Sequence, residues 1–226
     1  MRTNLPVGCT PETYDHYTTV GVDPYDQMLI ERVTDEYRHI GRPAPRIVDA
    51  CTGTGQLLLR VAAVPELTRA TFVAFDLFEN MVEIARRHVE ESKLSDRIRV
   101  DVADIHSLPY EDGFADMIFA RSVVHHWADP VQAFRELDRI LAPGGVAVIH
   151  EPRRDPAPEA QAAAEEERRR AGVRPVVLEE KYTAEEVRAQ LREAGIEKFD
   201  VFASDSGLAA IGFEVRIEKK IQASEA

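Results

Sequence analysis

Short apolar runs alternate with amphipathic helical stretches along most of this chain, a pattern that predicts a mostly parallel sheet covered on both faces. The runs Arg46–Ala50, Thr71–Phe75, Arg97–Asp101, Ala115–Ala120 and Val146–His150 predict five strands. Between the second and third, Met81, Ile84, Ala85 and His88 share one face of a helix over about Glu79–Glu91. Another helix opens with Asp129 as N-cap and Pro130 at its first position, buries Val131, Phe134, Leu137 and Leu141, and stops at Pro143–Gly144–Gly145. A leading helix spans about Asp23–Ile40 and ends at Gly41 and Pro43. Beyond the fifth strand, residues 156–172 predict an exposed, charged helix. Thr183 with Glu186 predicts a capping box, and Gly195 the end of the helix it opens. Two strands close the chain, about Glu197–Ala203 and Ala209–Ile217. In the second, Ile211, Phe213, Val215 and Ile217 alternate with Gly212, Glu214 and Arg216. That is the period of a sheet with one more polar face, at an edge or in an antiparallel hairpin.

Composition narrows the class. The 226 residues, 44% apolar and 30% charged, suit one domain, and no repeat or low-complexity linker divides them. No apolar run approaches the roughly 20 residues that cross a bilayer. The start, MRTNLPVGCTPETYDHY, lacks the apolar core of a secretory signal, so a cytoplasmic location is expected. A net charge of −12 disfavours nucleic acid and anionic membrane as partners. The basic runs are Arg153–Arg154 and Arg168–Arg169–Arg170. The second follows Glu165–Glu166–Glu167 at ion-pair spacing on a helix and reads as a solvated face. Cys9 and Cys51 are far apart and unclustered, so neither a disulfide framework nor a metal site is expected.

Candidate chemistry begins after the first strand, in Val48-Asp49-Ala50-Cys51-Thr52-Gly53-Thr54-Gly55-Gln56-Leu57. A small-residue turn between strand and helix lets a ligand approach the backbone, next to the unpaired N–H groups of the helix start. Two glycines alone make only a tight turn. Asp76, however, closes the second strand 21 residues after Gly55, where doubly wound nucleotide binders hold ribose hydroxyls. Its alternative is to cap the helix near Glu79. The third glycine of a dinucleotide fingerprint would fall on Leu58, which obstructs close helix–strand packing, and no Gly-Lys-Ser/Thr of a Walker loop follows. Asp49 is badly placed for a pyrophosphate and well placed for a cation. The ammonium and sulfonium of S-adenosylmethionine satisfy that charge logic.

Residues 46–150 resemble the ubiquinone/menaquinone-biosynthesis type of class I methyltransferase. Val48–Leu57 matches its glycine motif, with Cys51 where the first glycine is common. Val73–Met81 matches the second motif, with Phe78 where serine is frequent. Val102-Ala103-Asp104-Ile105 matches the adenine motif, and Leu141-Ala142-Pro143-Gly144-Gly145 the turn before the fifth strand. The resemblance implies a Rossmann-like three-layer α/β sandwich, with a seven-stranded sheet in the order 3-2-1-4-5-7-6 and the last strand antiparallel. It implies S-adenosylmethionine as cofactor, with Asp49, Cys51, Gly53, Thr54, Gly55, Asp76, Leu77, Met81, Asp104, Ile105 and Arg121 on the cofactor side. Asp76 would bind the ribose, Asp104 the exocyclic amine of adenine, and the Ile105 backbone would lie near the base. The single domain, 1–226, divides into a helical cap or lid over 1–45, a cofactor core over 46–150 and an acceptor-side helix with the closing strands over 151–226.

Methyl transfer needs in-line approach of a nucleophile, and some acceptors need a base. Arg121-Ser122-Val123-Val124-His125-His126-Trp127 follows the fourth strand, and histidine is frequent there in similar enzymes. His126 is the candidate base or acceptor ligand, against simple packing of the pair. Arg121 has three readings: cofactor side, an acceptor carboxylate or phosphate, or an ion pair with a local acid such as Asp129. Tyr14, Tyr17, His125 and Glu151 are candidates for contact with the acceptor. Tyr14, His16 and Tyr17 read as a lid or as surface residues. The expected partner is a small-molecule acceptor, and the expected assembly a monomer or homodimer. A cofactor enzyme without methyl transfer, such as a cyclase, and a non-catalytic scaffold are the competing readings. A nicotinamide enzyme is the least favoured.

Overall fold

The computed structural model describes residues 10–20, 24–170, 177–203 and 208–221. Two helices lead, α1 (Pro11–Val20) and α2 (Pro24–Ile40). Five strands and three helices follow: β1 (Arg46–Ala50), α3 (Gln56–Ala62), β2 (Thr71–Asp76), α4 (Glu79–Glu91), β3 (Ile98–Val102), β4 (Ala115–Arg121), α5 (Pro130–Ile140) and β5 (Leu141–Pro152). The chain then adds α6 (Pro158–Arg170), α7 (Ala184–Glu193), β6 (Phe199–Ala203) and β7 (Gly212–Glu218). All seven strands form one sheet in the order β3-β2-β1-β4-β5-β7-β6, with β7 antiparallel to both its neighbours. That is the expected fold.

The two-residue period of the strands splits the core cleanly. Ile47, Phe72, Ala74, Met117, Phe119, Val146 and Val148 face one cluster, completed by Leu29 and Val33 of α2, Leu58 and Val61 of α3, and Val82 and Val89 of α4. Val48, Ala50, Val73, Phe75, Ile118, Ala120, Ala147 and Ile149 face the other, closed by Phe134 and Leu137 of α5 and Val187 and Leu191 of α7. Local signals hold where the chemistry is explicit. Asp129 accepts Gln132 N–H at the head of α5, Thr183 and Glu186 form a reciprocal capping box on α7, and Gly195 takes φ +81°. Glu166 pairs with Arg169 and Arg170 along α6.

Several boundaries differ from expectation. β3 runs one residue later than predicted. β5 starts at Leu141 and passes through Pro143–Gly144–Gly145 instead of following it. A Cβ on Gly145 would lie 2.8 Å from the carbonyl oxygens of both Ala142 and Asp116, so glycine is what lets the chain pair so closely there. β6 and β7 begin later than expected, β7 after a short 3-10 turn over Leu208–Ile211. The polar face of β7 is covered by α2, where Glu214 pairs with Arg32 and Arg216 with Glu36. Period alone cannot distinguish such a face from a solvated one. Helix α1 was not anticipated, and Cys9, Asp23 and residues 171–172 lie outside the described residues.

Candidate active site

The parallel strands β1–β4 end on one side of the sheet, and the turns that follow them bring the candidate residues together. Three residues of the turn after β1 are left-handed: Cys51 at φ +58°, Gly53 at +58° and Gly55 at +81°. Cys51 therefore stands where an L-residue is strained by about 1 kcal/mol, which gives a physical reason for glycine at that place. The two glycines have different tasks. A Cβ on Gly55 would lie 3.1 Å from Ala85 Cβ, so Gly55 lets α3 pack on α4. A Cβ on Gly53 would lie 3.2 Å from Tyr14 Cε1, so the open face of Gly53 is the one α1 covers.

Tyr14 is thus over the turn, as a lid would be. Asp15 anchors α1 there, accepting Gln56 Nε2 at 3.1 Å and standing 3.4 Å from His88 Nε2, while His88 Nδ1 meets Thr54 O at 2.8 Å. His16 is exposed. The side chain of Tyr17 lies outside the described residues.

Three carboxylates surround the turn, and none pairs with lysine or arginine among the described residues. Asp49 is 2% exposed and accepts Thr52 Oγ1 at 2.6 Å. Desolvation pushes its pKa to about 7, helped by the charge of Asp76 and opposed by Thr52. Asp76 accepts Gly53 N–H at 2.9 Å on Oδ2 and Phe78 N–H at 3.0 Å on Oδ1. Burial raises its pKa, while those backbone donors pull it down. The residue before α4 is Phe78, with no side-chain cap, so Asp76 is tied to the loop instead of capping the helix. Asp104, half exposed, is held by His106 at 2.6 Å. The Cys51 thiol is pushed strongly up by burial and then by the charges of Asp76, Asp49 and Asp104, and remains protonated.

Leu77 is exposed, Met81 and Ile105 are buried, and Thr54 has a buried hydroxyl without a hydrogen-bond partner among the described residues. Sequence reasoning gave no site role to Val102, paired with Asp76 in the register and 45% exposed, or to the buried Trp127, whose indole lies beside the Cys51 thiol. An apolar residue exposed at a strand's C-terminal end is visible only once the sheet is assembled.

Arg121 makes an ion pair, with a distant acid in place of the local one expected. Its guanidinium pairs with Asp26 of α2, not with Asp129, and Asp26 also binds Arg60 of α3. Asp26 is 3% exposed, and two guanidiniums compensate its burial. Arg60 reaches on to Thr18 O, tying the end of β4 to α1 through α2 and α3.

Past Arg121 the chain turns sharply, with Ser122 at φ +56°, into a 3-10 turn over Val124–His126. Glu151, 0% exposed at the end of β5, accepts Val123 N–H at 2.8 Å, Val124 N–H at 3.1 Å and His125 Nδ1. His125 is itself buried, with its ring centroid 3.9 Å from that of His126, and His126 is exposed. The acid expected to face an acceptor therefore lies beneath the loop and fixes its shape.

The site fits S-adenosylmethionine on this structure's own terms. A turn lined by carboxylates that pair with no lysine or arginine among the described residues suits a cation and repels a pyrophosphate, and exposed Leu77 and Val102 suit a flat apolar base. Residues 48–149 match the model of the family described as Methyltransferase domain. These residues carry a methyltransferase domain. The chain is 32% identical over 108 residues to a ubiquinone/menaquinone biosynthesis C-methyltransferase of Geobacter sp. (strain M21), covering 48% of this chain and 46% of the relative. It is 29% identical over 156 residues to the 27-O-demethylrifamycin SV methyltransferase of Amycolatopsis mediterranei (strain S699), covering 69% and 55%. The chain thus spans about half the length of these curated relatives. A S-adenosylmethionine-dependent methyltransferase structure from Aquifex aeolicus shares the fold of the methyltransferase domain and its flanks, with TM-score 0.69, 21% identity, and 93% of this chain and 98% of that one covered.

Proposed function

We propose that this protein transfers a methyl group from S-adenosylmethionine to an oxygen, nitrogen or carbon atom of a small metabolite. The observation that carries the reading is the ring of Asp49, Asp76 and Asp104 around the glycine turn, unpaired with lysine or arginine among the described residues. When bound, the cofactor supplies an electrophilic methyl on sulfur. Asp49 faces its cationic end, Asp76 its ribose and Asp104 its base, and Tyr14 excludes water above Gly53. His126 serves as base or acceptor ligand, presented by a loop that Glu151 and His125 hold.

Residues 1–45 act as cap, 46–150 as cofactor core and 151–226 as acceptor side of one domain. The net charge of −12 supports a small-molecule acceptor over nucleic acid, with action in the cytoplasm as monomer or homodimer. Among the described residues no helix is long and apolar enough to cross a membrane.

Calorimetric titration with S-adenosylmethionine, S-adenosylhomocysteine and NAD, beside Asp76→Ala, tests the cofactor. Micromolar binding of the first two, weakened in the variant, supports the reading. Binding of NAD alone overturns it. Mass analysis of candidate acceptors then separates methyl transfer from a rearrangement that leaves the methyl on sulfur.

A further inference from the structure

His106 makes more polar contacts, among the described residues, than any other residue of the turn after β3. Its main-chain N–H reaches Asp104 Oδ1 at 2.9 Å, and its ring Nδ1 reaches the same oxygen at 2.6 Å. The other ring nitrogen, Nε2, accepts Asp129 N–H at 3.2 Å, and the His106 carbonyl accepts Gln132 Nε2 at 3.2 Å. These partners fix the tautomer: Nδ1–H donates and Nε2 accepts. Both contacts to Asp104 fall on Oδ1, and Oδ2 takes part in no hydrogen bond among the described residues. The Asp104 side chain is half exposed, on the side where β2 and β3 end.

The platform beneath is rigid. Ser107 N–H closes the turn on Asp104 O at 3.0 Å, Glu136 of α5 accepts Leu108 N–H at 2.8 Å, and Arg139 donates to Leu108 O. A half-exposed aspartate with free side-chain rotation would present its oxygens in several directions. One oxygen clamped by two donors leaves the second pointing one way. Partial desolvation pushes the Asp104 pKa up, but the His106 backbone and ring donors outweigh it and hold the carboxyl below the usual range, so it remains an acceptor.

We infer that His106 is a positioning residue, orienting Asp104 so that its second oxygen accepts from the 6-amino group of the cofactor's purine and thereby selects a 6-amino over a 6-oxo base. The inference rests on the assignment of Asp104 to the adenine. Through Asp129, the N-cap of α5, the same imidazole also ties the base-reading turn to the end of the loop that carries His125 and His126.

The test compares S-adenosylhomocysteine with S-inosylhomocysteine, whose 6-oxo group cannot donate to Asp104. Affinities are measured by calorimetry for the wild type, His106→Ala and His106→Asn. Asparagine places its amide nitrogen near the position of Nδ1 and so keeps the bond to Asp104 while losing the one to Asp129. The wild type should prefer the adenosyl compound by about tenfold or more. That ratio should fall about five- to tenfold in His106→Ala and be largely restored in His106→Asn, with melting temperature recorded to exclude unfolding. An unchanged ratio in His106→Ala, or an equal loss in both variants, overturns the inference. Failure of the wild type to bind S-adenosylhomocysteine would instead overturn the cofactor reading beneath it.

Discussion

Asp76 Oδ2 accepts the main-chain N–H of Gly53 at 2.9 Å, so the acid that ends β2 also fixes the turn that follows β1. Its other oxygen holds Phe78 N–H, and the remaining lone pairs are those that ribose hydroxyls would use. Asp76→Ala removes the ribose acceptor and leaves a buried Gly53 N–H unpaired. Asp76→Asn keeps one oxygen for that N–H. S-adenosylhomocysteine affinity should fall about a hundredfold in the alanine variant and about tenfold in the asparagine variant. Equal affinities for all three proteins would remove Asp76 from the site.

Asp49 links affinity to pH. Its folded-state pKa of about 7 lies above that of the unfolded chain, so the fold favours the protonated form. That stabilisation is complete below about pH 4 and is lost as pH rises through 7. A cationic ligand needs the ionised form. Affinity for S-adenosylmethionine should therefore strengthen as pH rises from 6 to 8, with a proton released on binding near pH 6.5. Calorimetry in buffers of different ionisation enthalpy measures that release. Asp49→Asn should melt higher than the wild type at pH 8 while binding weakly at every pH. A pH-independent wild-type affinity would contradict the role given to Asp49.

The two glycines should separate stability from binding. Gly55→Ala forces a Cβ against Ala85 between α3 and α4 at a positive φ, and should destabilise the protein by about 2 kcal/mol. Gly53→Ala has the same backbone strain, but its new methyl lies under the Tyr14 ring. Removing that ring in Tyr14→Ala/Gly53→Ala should recover part of the melting temperature lost in Gly53→Ala and none of the cofactor affinity. Denaturant midpoints beside ligand titrations decide this. If Tyr14→Ala rescued nothing, α1 would not be packed on the turn in solution.

Much of this was legible before any coordinates. Hydrophobic period placed the strands, and the order of Asp49, Gly53, Gly55, Asp76 and Asp104 along the chain marked the candidate cofactor site proposed above, because each sits at or just after a strand end that topology brings to one edge. What escaped was set by pairing across long sequence distance. Arg121 stands 95 residues from Asp26, and nothing near either residue names the other. Glu151 looked like a pocket acid because it follows β5, but which way a strand-end side chain turns depends on the neighbouring loop. His106 carried no pattern at all. Its role emerges only when the turn after β3 is seen against the N-terminus of α5.

Glu151 makes the most severe stability prediction. The carboxylate is fully buried and satisfies Val123 N–H, Val124 N–H and His125 Nδ1 together. Glu151→Ala strands all three donors, which should destabilise by about 3–5 kcal/mol. For a chain of this length that corresponds to roughly 6–20 °C in Tm. Glu151→Gln keeps one oxygen for the two backbone groups but turns an amide or a neutral acceptor toward His125, and should lose about half as much. Because these bonds shape the acceptor loop and leave the glycine turn untouched, the glutamine variant should bind S-adenosylhomocysteine within about twofold of the wild type. Its acceptor-dependent turnover should fall, since His126 is presented by the loop Glu151 holds. A glutamine variant that loses cofactor affinity and turnover in equal measure would mean that the two halves of the site are not separable at Glu151.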